Sequence, residues 1–236
     1  NCKNSIVIEP EDFEFYEKIK VPPPKWCPAC RLQRRIQFRN LKTVYRRKTL
    51  ESDKEVFSAF APDSPFRVYT QAYWMSDKCE PSEGLEYNFS LPFLSQFKKL
   101  MFQSPWAAGY NLSSAQSEYC NNCFDVKNCY LTFNSAYSED CTYAVDTRQS
   151  KSCMDTLKVD QCELCYELFD CQNCYKTLFS SHCRECTDIY FCKNLSGCHN
   201  CFGSVNLKNK SFYIFNQPFS KEEYNERMKQ LWCGSS

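Results

Sequence analysis

The stretch CELCYELFDCQNCYKTLFSSHCRECTDIYFC, residues 162–192, decides the fold. Its cysteines, Cys162, Cys165, Cys171, Cys174, Cys183, Cys186 and Cys192, all carry numbers divisible by three. The same phase holds Cys120, Cys123, Cys129, Cys141 and Cys153 upstream, and Cys198 and Cys201 downstream. In-phase positions without cysteine are also uncharged and non-aromatic, among them Val126, Thr132, Ala144, Val159, Leu168, Ile189 and Leu195. Small or aliphatic side chains confined to one phase, with Lys, Arg, Asp and Glu in the other two, mark an inside and an outside.

An α-helix drifts out of a strict period of three, long 3₁₀ helices are unfavourable, and a flat sheet needs a period of two. Coils that turn every few residues and stack at the strand spacing satisfy both the pattern and the backbone. A longer period of 21 connects Cys120, Cys141, Cys162 and Cys183. The fold expected is therefore mostly β: a β-helix or β-solenoid with coils of about 21 residues, the repeat running over about 108–207.

Solenoid ends need caps. Ser90 is placed to N-cap a helix through Phe102, and Ser220 with Glu223 forms a capping-box pattern ahead of Tyr224, Met228 and Leu231. Two modules follow: residues 1–89 as a small zinc-ribbon-like α+β module, and residues 90–233 as the capped solenoid.

Nineteen cysteines in 236 residues, an odd number, exclude complete intramolecular pairing. The net charge of +1 hides an acidic start, Glu9 to Glu17, and a basic stretch after it. No apolar run reaches the length of a membrane span, and Asn1-Cys2-Lys3-Asn4 shows no signal-peptide pattern, so a cytoplasmic chain is expected. Gly234-Ser235-Ser236 has the look of a cloning remnant and is set aside.

Cys27-Pro28-Ala29-Cys30-Arg31 is a zinc-type knuckle leading into an expected helix from Leu32 to Leu41. Cys2 supplies a third ligand; its partner three residues on is Ser5, a poor zinc ligand, and Cys79 is a distant candidate fourth. In the repeat, Cys162, Cys165, Cys183 and Cys186 have the C-x2-C-x17-C-x2-C spacing of a tetrahedral zinc site. Packed neutral thiols and inter-coil disulfides remain alternatives there, because buried cysteine behaves as a small hydrophobe.

Arg31, Arg34, Arg35, Arg39, Lys42, Arg46, Arg47 and Lys48 put eight positive charges into 18 residues with no acid among them. Several would share a helix face, a pattern suited to phosphate contacts with nucleic acid; a solvated face or an acidic protein partner are the alternatives. Phe133, Met154 and Tyr175, with Leu157 and Leu178, recur at 21 and define an outward apolar stripe, either buried under another segment or a dimer or partner surface. His182 and His199 sit beside Cys183 and Cys198, the one pairing with a nucleophile's residue types. With five glycines scattered along the chain, no phosphate-binding loop exists.

Glu11-Asp12-Phe13-Glu14-Phe15-Tyr16, Val21-Pro22-Pro23-Pro24, Cys27-Pro28-Ala29-Cys30-Arg31 and Phe212-Tyr213-Ile214-Phe215-Asn216, taken with the repeat, cover nearly the whole chain. They resemble an uncharacterised family of cysteine-rich repeat proteins from metagenomes of candidate-phyla bacteria. That resemblance implies the architecture and no activity. It also implies a complete first knuckle and a cysteine near Thr49; Ser5 and Thr49 depart from that pattern. The function expected is a non-enzymatic, zinc-thiolate protein whose N-terminal module contacts nucleic acid, with a structural or protein-interaction solenoid of unmetallated thiols as the alternative.

Overall fold

The structure, a computed structural model, describes residues 2–3, 5–37, 40, 42–79 and 84–233. Contacts divide the chain into two compact units, residues 1–40 and 41–236. In the first, α1 (Pro10–Lys18) and α2 (Pro28–Ile36) each begin at a proline, whose missing N–H costs nothing in the first turn. Glu11 and Asp12 open α1 and Lys18 closes it, matching the helix dipole.

The second unit starts with an antiparallel hairpin, β1 (Tyr45–Lys48) with β2 (Glu55–Ser58). Strand β3 (Arg67–Tyr69) and helix α3 (Gln71–Trp74) follow, then helix α4 (Phe93–Gln103) and β4 (Pro105–Ala107), which pairs in parallel with β3. Rings of Phe60, Phe66, Phe102 and Trp106 pack together around this pairing, with centroids 5.0–5.9 Å apart. Helix α4 begins later than Ser90 implies: Pro92 is its N-cap, and the Ser90 N–H is taken by Asn88 Oδ1 instead.

The remainder is a β-solenoid of about nine turns. Its parallel strands are β5 (Asn111–Leu112), β6 (Cys123–Lys127), β7 (Ala136–Glu139), β8 (Thr142–Arg148), β9 (Lys151–Asp160), β10 (Glu163–Gln172), β11 (Tyr175–Ser181), β12 (Thr187–Tyr190), β13 (His199–Phe202) and β14 (Ser211–Ile214). A final antiparallel strand, β15 (Gln217–Pro218), turns the chain into helix α5 (Lys221–Cys233). There the expected capping box is present: the Glu223 N–H donates to Ser220 Oγ and the Ser220 N–H to Glu223 Oε2, at 3.2 and 3.0 Å. Tyr224 is buried and sets its ring against Phe212.

The triplet phase is the inner wall as expected, and all fourteen cysteines from Cys120 to Cys201 are buried. The coil length is different. Cys165 pairs with Cys153, Tyr175 with Glu163, Thr187 with Tyr175 and His199 with Thr187, so each coil has twelve residues and not 21. Residues 21 apart lie two coils on and one side back, which keeps the inner phase and explains the recurrence of cysteine without any stacking. Each coil thus has four sides and sends four side chains inward.

The chain turns so tightly because every third residue from Asn122 to Phe215 has positive φ, with values from 44° to 63°. Asn, Asp or Gly fills sixteen of these thirty-two positions, the residue types that tolerate the left-handed region. At Gly203 a Cβ would also meet the ring of Phe215 at 3.0 Å. Outside, side chains twelve apart pair along the axis: Asn122 with Asn134 at 2.6 Å, Gln149 with Gln161 at 2.9 Å, and Glu139 with both Lys127 and Lys151 at 2.9 and 3.4 Å.

Candidate metal centre and basic surface

In the first unit Cys27 is the N-cap of α2 and Cys30 stands in its first turn, where the Cys30 N–H donates to Cys27 Sγ at 3.4 Å. Cys2 Sγ approaches Cys27 Sγ to 3.4 Å. The three sulfurs of Cys2, Cys27 and Cys30 all lie within 4.8 Å of one another, the only such group of metal-ligand side chains among the described residues.

Tetrahedral zinc with bonds of about 2.3 Å to sulfur needs sulfurs roughly 3.8 Å apart. The three cysteines fit that requirement with small adjustment, and burial rises from exposed Cys2 through Cys27 to buried Cys30. Ser5 is exposed, whereas Cys79 belongs to the second unit, its N–H donating to Ser76 O. Thr49 is also in the second unit, a buried turn residue whose Oγ1 lies 3.4 Å from Ser52 Oγ.

The basic residues do not share one helix. Arg31, Arg34 and Arg35 are on α2, which ends at Ile36 rather than Leu41; Arg39 and Leu41 lie outside the described residues. Arg34 stacks over Trp26 at 5.2 Å and Arg35 is exposed, while Arg31 is half-buried. Lys42, Arg46, Arg47 and Lys48 belong to the second unit. On β1, alternation exposes Arg46 and Lys48 and turns Arg47 inward. Arg47 is committed to structure: its guanidinium donates to Ala61 O, Ser64 Oγ, Ser64 O and Phe66 O at 2.6–3.3 Å. Arg46 reaches Tyr119 Oη at 3.4 Å over the ring of Phe57, and Lys48 pairs with Asp53 at 3.6 Å.

In the solenoid, Cys162 and Cys165 are neighbouring inner residues of one coil, and Cys183 and Cys186 do not stack on them. The twelve-residue register puts Cys174 over Cys162 and Cys165 over Cys153, so the expected quartet is not brought together. These thiols act as hydrogen donors to carbonyls two residues back and nine ahead, as Cys165 does to Glu163 O at 3.2 Å and Cys174 O at 3.7 Å. Burial pushes the Cys192 thiol up and the Cys201 thiol up to about 12. Every described cysteine is free, so none is joined in an inter-coil disulfide.

His182 and His199 point outward beside inward thiols. His182 lies 3.9 Å from Asp170 and its ring contacts Phe169, while its neighbour Cys183 is buried in the inner wall. Phe133 and Leu157 share one outer column with Val145 between them, Met154 and Leu178 share another with Tyr166 between them, and Tyr175 is on a third. The expected stripe is thus divided. A different one exists: rings of Tyr166, Phe179, Phe191, Phe202 and Phe215 follow each other along one face with centroids 4.7–6.1 Å apart. Its rings alternate between two adjacent outer columns, with steps of 13, 12, 11 and 13 residues, so no single period marks it in the sequence. No described helix is long and apolar enough to cross a membrane. The chain matches no protein-family model and no curated protein.

Proposed function

We propose that this chain is a non-enzymatic thiolate-metal protein, holding zinc through Cys2, Cys27 and Cys30 in a module that contacts nucleic acid, with the solenoid as a rigid scaffold. The observation that carries this reading is the convergence of three sulfurs within 4.8 Å at the start of α2. Bound zinc would tie the segment at Cys2 to the helix and hold Arg34 and Arg35 in a fixed orientation. Protein purified without added metal should carry about one zinc per chain, lost in Cys27→Ser. A metal content near zero overturns the assignment. For nucleic acid, affinity should fall steeply with salt, and Arg34→Ala, Arg35→Ala and Arg46→Ala together should weaken binding and flatten that dependence. Unchanged binding in the triple variant rejects the contact.

The ring ladder favours a second reading, a protein-interaction solenoid. Phe191 and Phe215 are 50% and 66% exposed, an arrangement that leaves much aromatic surface in water. Native mass spectrometry of the wild type and of Phe191→Asp decides it: self-association lost in the variant supports the reading, and a monomer throughout removes it.

A further inference from the structure

Two successive coils bring four thiols into a closed ring that was not among the expected ligand sets. Cys171 and Cys174 are neighbouring inner residues of one coil, and Cys183 and Cys186 occupy the same places twelve residues on. Backbone pairing fixes the stacking: the Gln172 N–H donates to Cys183 O and the Tyr175 N–H to Cys186 O, both at 3.0 Å, with Gln172 opposite Arg184. Within the ring each thiol neighbours two others, one along its coil and one across to the next coil, and Cys174 also stacks on Cys162 of the preceding coil. All four are at most 3% exposed.

The ring is open, not a tetrahedron. In every trio of these sulfurs at least one separation exceeds 4.8 Å, since among the described residues only Cys2, Cys27 and Cys30 satisfy that limit. A central zinc ion needs all separations near roughly 3.8 Å. Strands stacked at roughly 4.8 Å hold the inter-coil pairs too far apart for that. They suit a linear sulfur–metal–sulfur bridge, whose two bonds of about 2.3 Å span roughly 4.6 Å.

We propose that Cys171, Cys174, Cys183 and Cys186 form a site for four monovalent soft cations of the copper(I) class, one bridging each edge of the ring. Four S–H bonds break, four protons leave to solvent, and four metal ions enter, each sulfur bridging two of them. No electron is transferred. Four thiolates and four monovalent cations sum to zero charge, which an apolar interior accepts, whereas a single divalent ion with four thiolates would bury two negative charges. Thiolate selects soft ions over the harder divalent ones. Along one column the apolar side chains of Val159 and Leu195 flank the ring, and along the other the buried thiols of Cys162 and Cys198 do. This site does not depend on the zinc reading of the first unit.

The test is refolding of the full reduced chain with copper(I) under anaerobic conditions, and separately with silver(I), followed by elemental analysis. The comparison is with Cys171→Ser/Cys183→Ser, and with Cys174→Ser as a second variant; their columns already accept Ser135 and Ser150. The wild type should hold about four more monovalent ions than the double variant, and X-ray absorption should show copper bound by two sulfurs. Equal loading of wild type and both variants, or copper with three or four sulfur ligands in the ring, overturns the proposal. Zinc at Cys2, Cys27 and Cys30 is read in the same samples and is common to all of them, so its absence would bear on the first unit alone.

Discussion

Cys165 lies directly opposite Cys153 across the pairing of β9 and β10, one twelve-residue coil away. Cys129 and Cys141 continue the same column, so four cysteines stack where a wider core would use branched aliphatics. Only four side chains fill each cross-section, and the sulfur of Cys153 already donates to Lys151 O and Cys162 O at 3.4 and 3.5 Å. A serine at that position inherits both acceptors, while a leucine adds volume to a cross-section already filled by four side chains. Urea denaturation should therefore show Cys153→Ser losing at most about 1 kcal/mol and Cys153→Leu losing about 1–3 kcal/mol. A leucine variant as stable as the serine one would mean that the interior is not filled by its small side chains.

Threonine on the inner wall behaves in two ways. Thr132 Oγ1 donates to Cys141 O at 3.0 Å, whereas the hydroxyls of Thr147 and Thr156 are buried without a partner. Thr156→Val removes an unsatisfied hydroxyl at nearly constant volume and should stabilise the fold by about 1 kcal/mol. Thr132→Val should cost a similar amount. The pair of denaturation curves checks the sign of each, and a loss of stability in Thr156→Val would count against the hydrogen-bond pattern described.

Alkaline solution should weaken the solenoid. Burial raises the Cys192 thiol above its ordinary value of 9.0 and pushes Cys201 up to about 12. Between those values the unfolded chain has lost protons that the folded chain keeps, so stability is full below about pH 9 and falls as pH rises toward 12. The urea midpoint should drop across that window, and less so in Cys192→Ser/Cys201→Ser. A midpoint that stays level from pH 8 to pH 11 in the wild type would contradict the burial of these thiols in neutral form.

The inner wall was legible because a single phase carries both Cys120–Cys201 and the small residues between them, and hydrophobic burial writes that pattern directly. The coil length was not, because Cys141, Cys162 and Cys183 coincide at 21 while sitting on three different columns. Backbone hydrogen bonds set the register, and side-chain identity in the inner phase hardly distinguishes one multiple of three from another. The turn phase held a readable signal in Asn122, Asp125, Asn128 and Asn134, which mark the left-handed corners. The three-sulfur cluster was legible in Cys2, Cys27 and Cys30, since a proline-led helix start presents both knuckle sulfurs at one end. The basic stretch was misleading as a single face: chain order cannot show that Arg47 turns inward to satisfy four oxygen acceptors, or that the helix ends at Ile36.

Leu164 shows where the tight corners are strained. Its φ is 55°, a left-handed conformation that costs a residue with a branched side chain about 1–2 kcal/mol, yet 44% of it is exposed and little burial compensates. Asparagine adopts the same conformation at Asn128, at the same corner three coils earlier in the chain. Leu164→Asn should therefore raise stability by about 1 kcal/mol, and Asn128→Leu should lower it by a similar amount while also losing the bond to Asp140 Oδ1 at 2.6 Å. Thermal melts of both variants measure the two effects independently. If Leu164→Asn melts below the wild type, the leucine is held by a contact worth more than the backbone strain, and the left-handed corners are not what limits the stability of the coil.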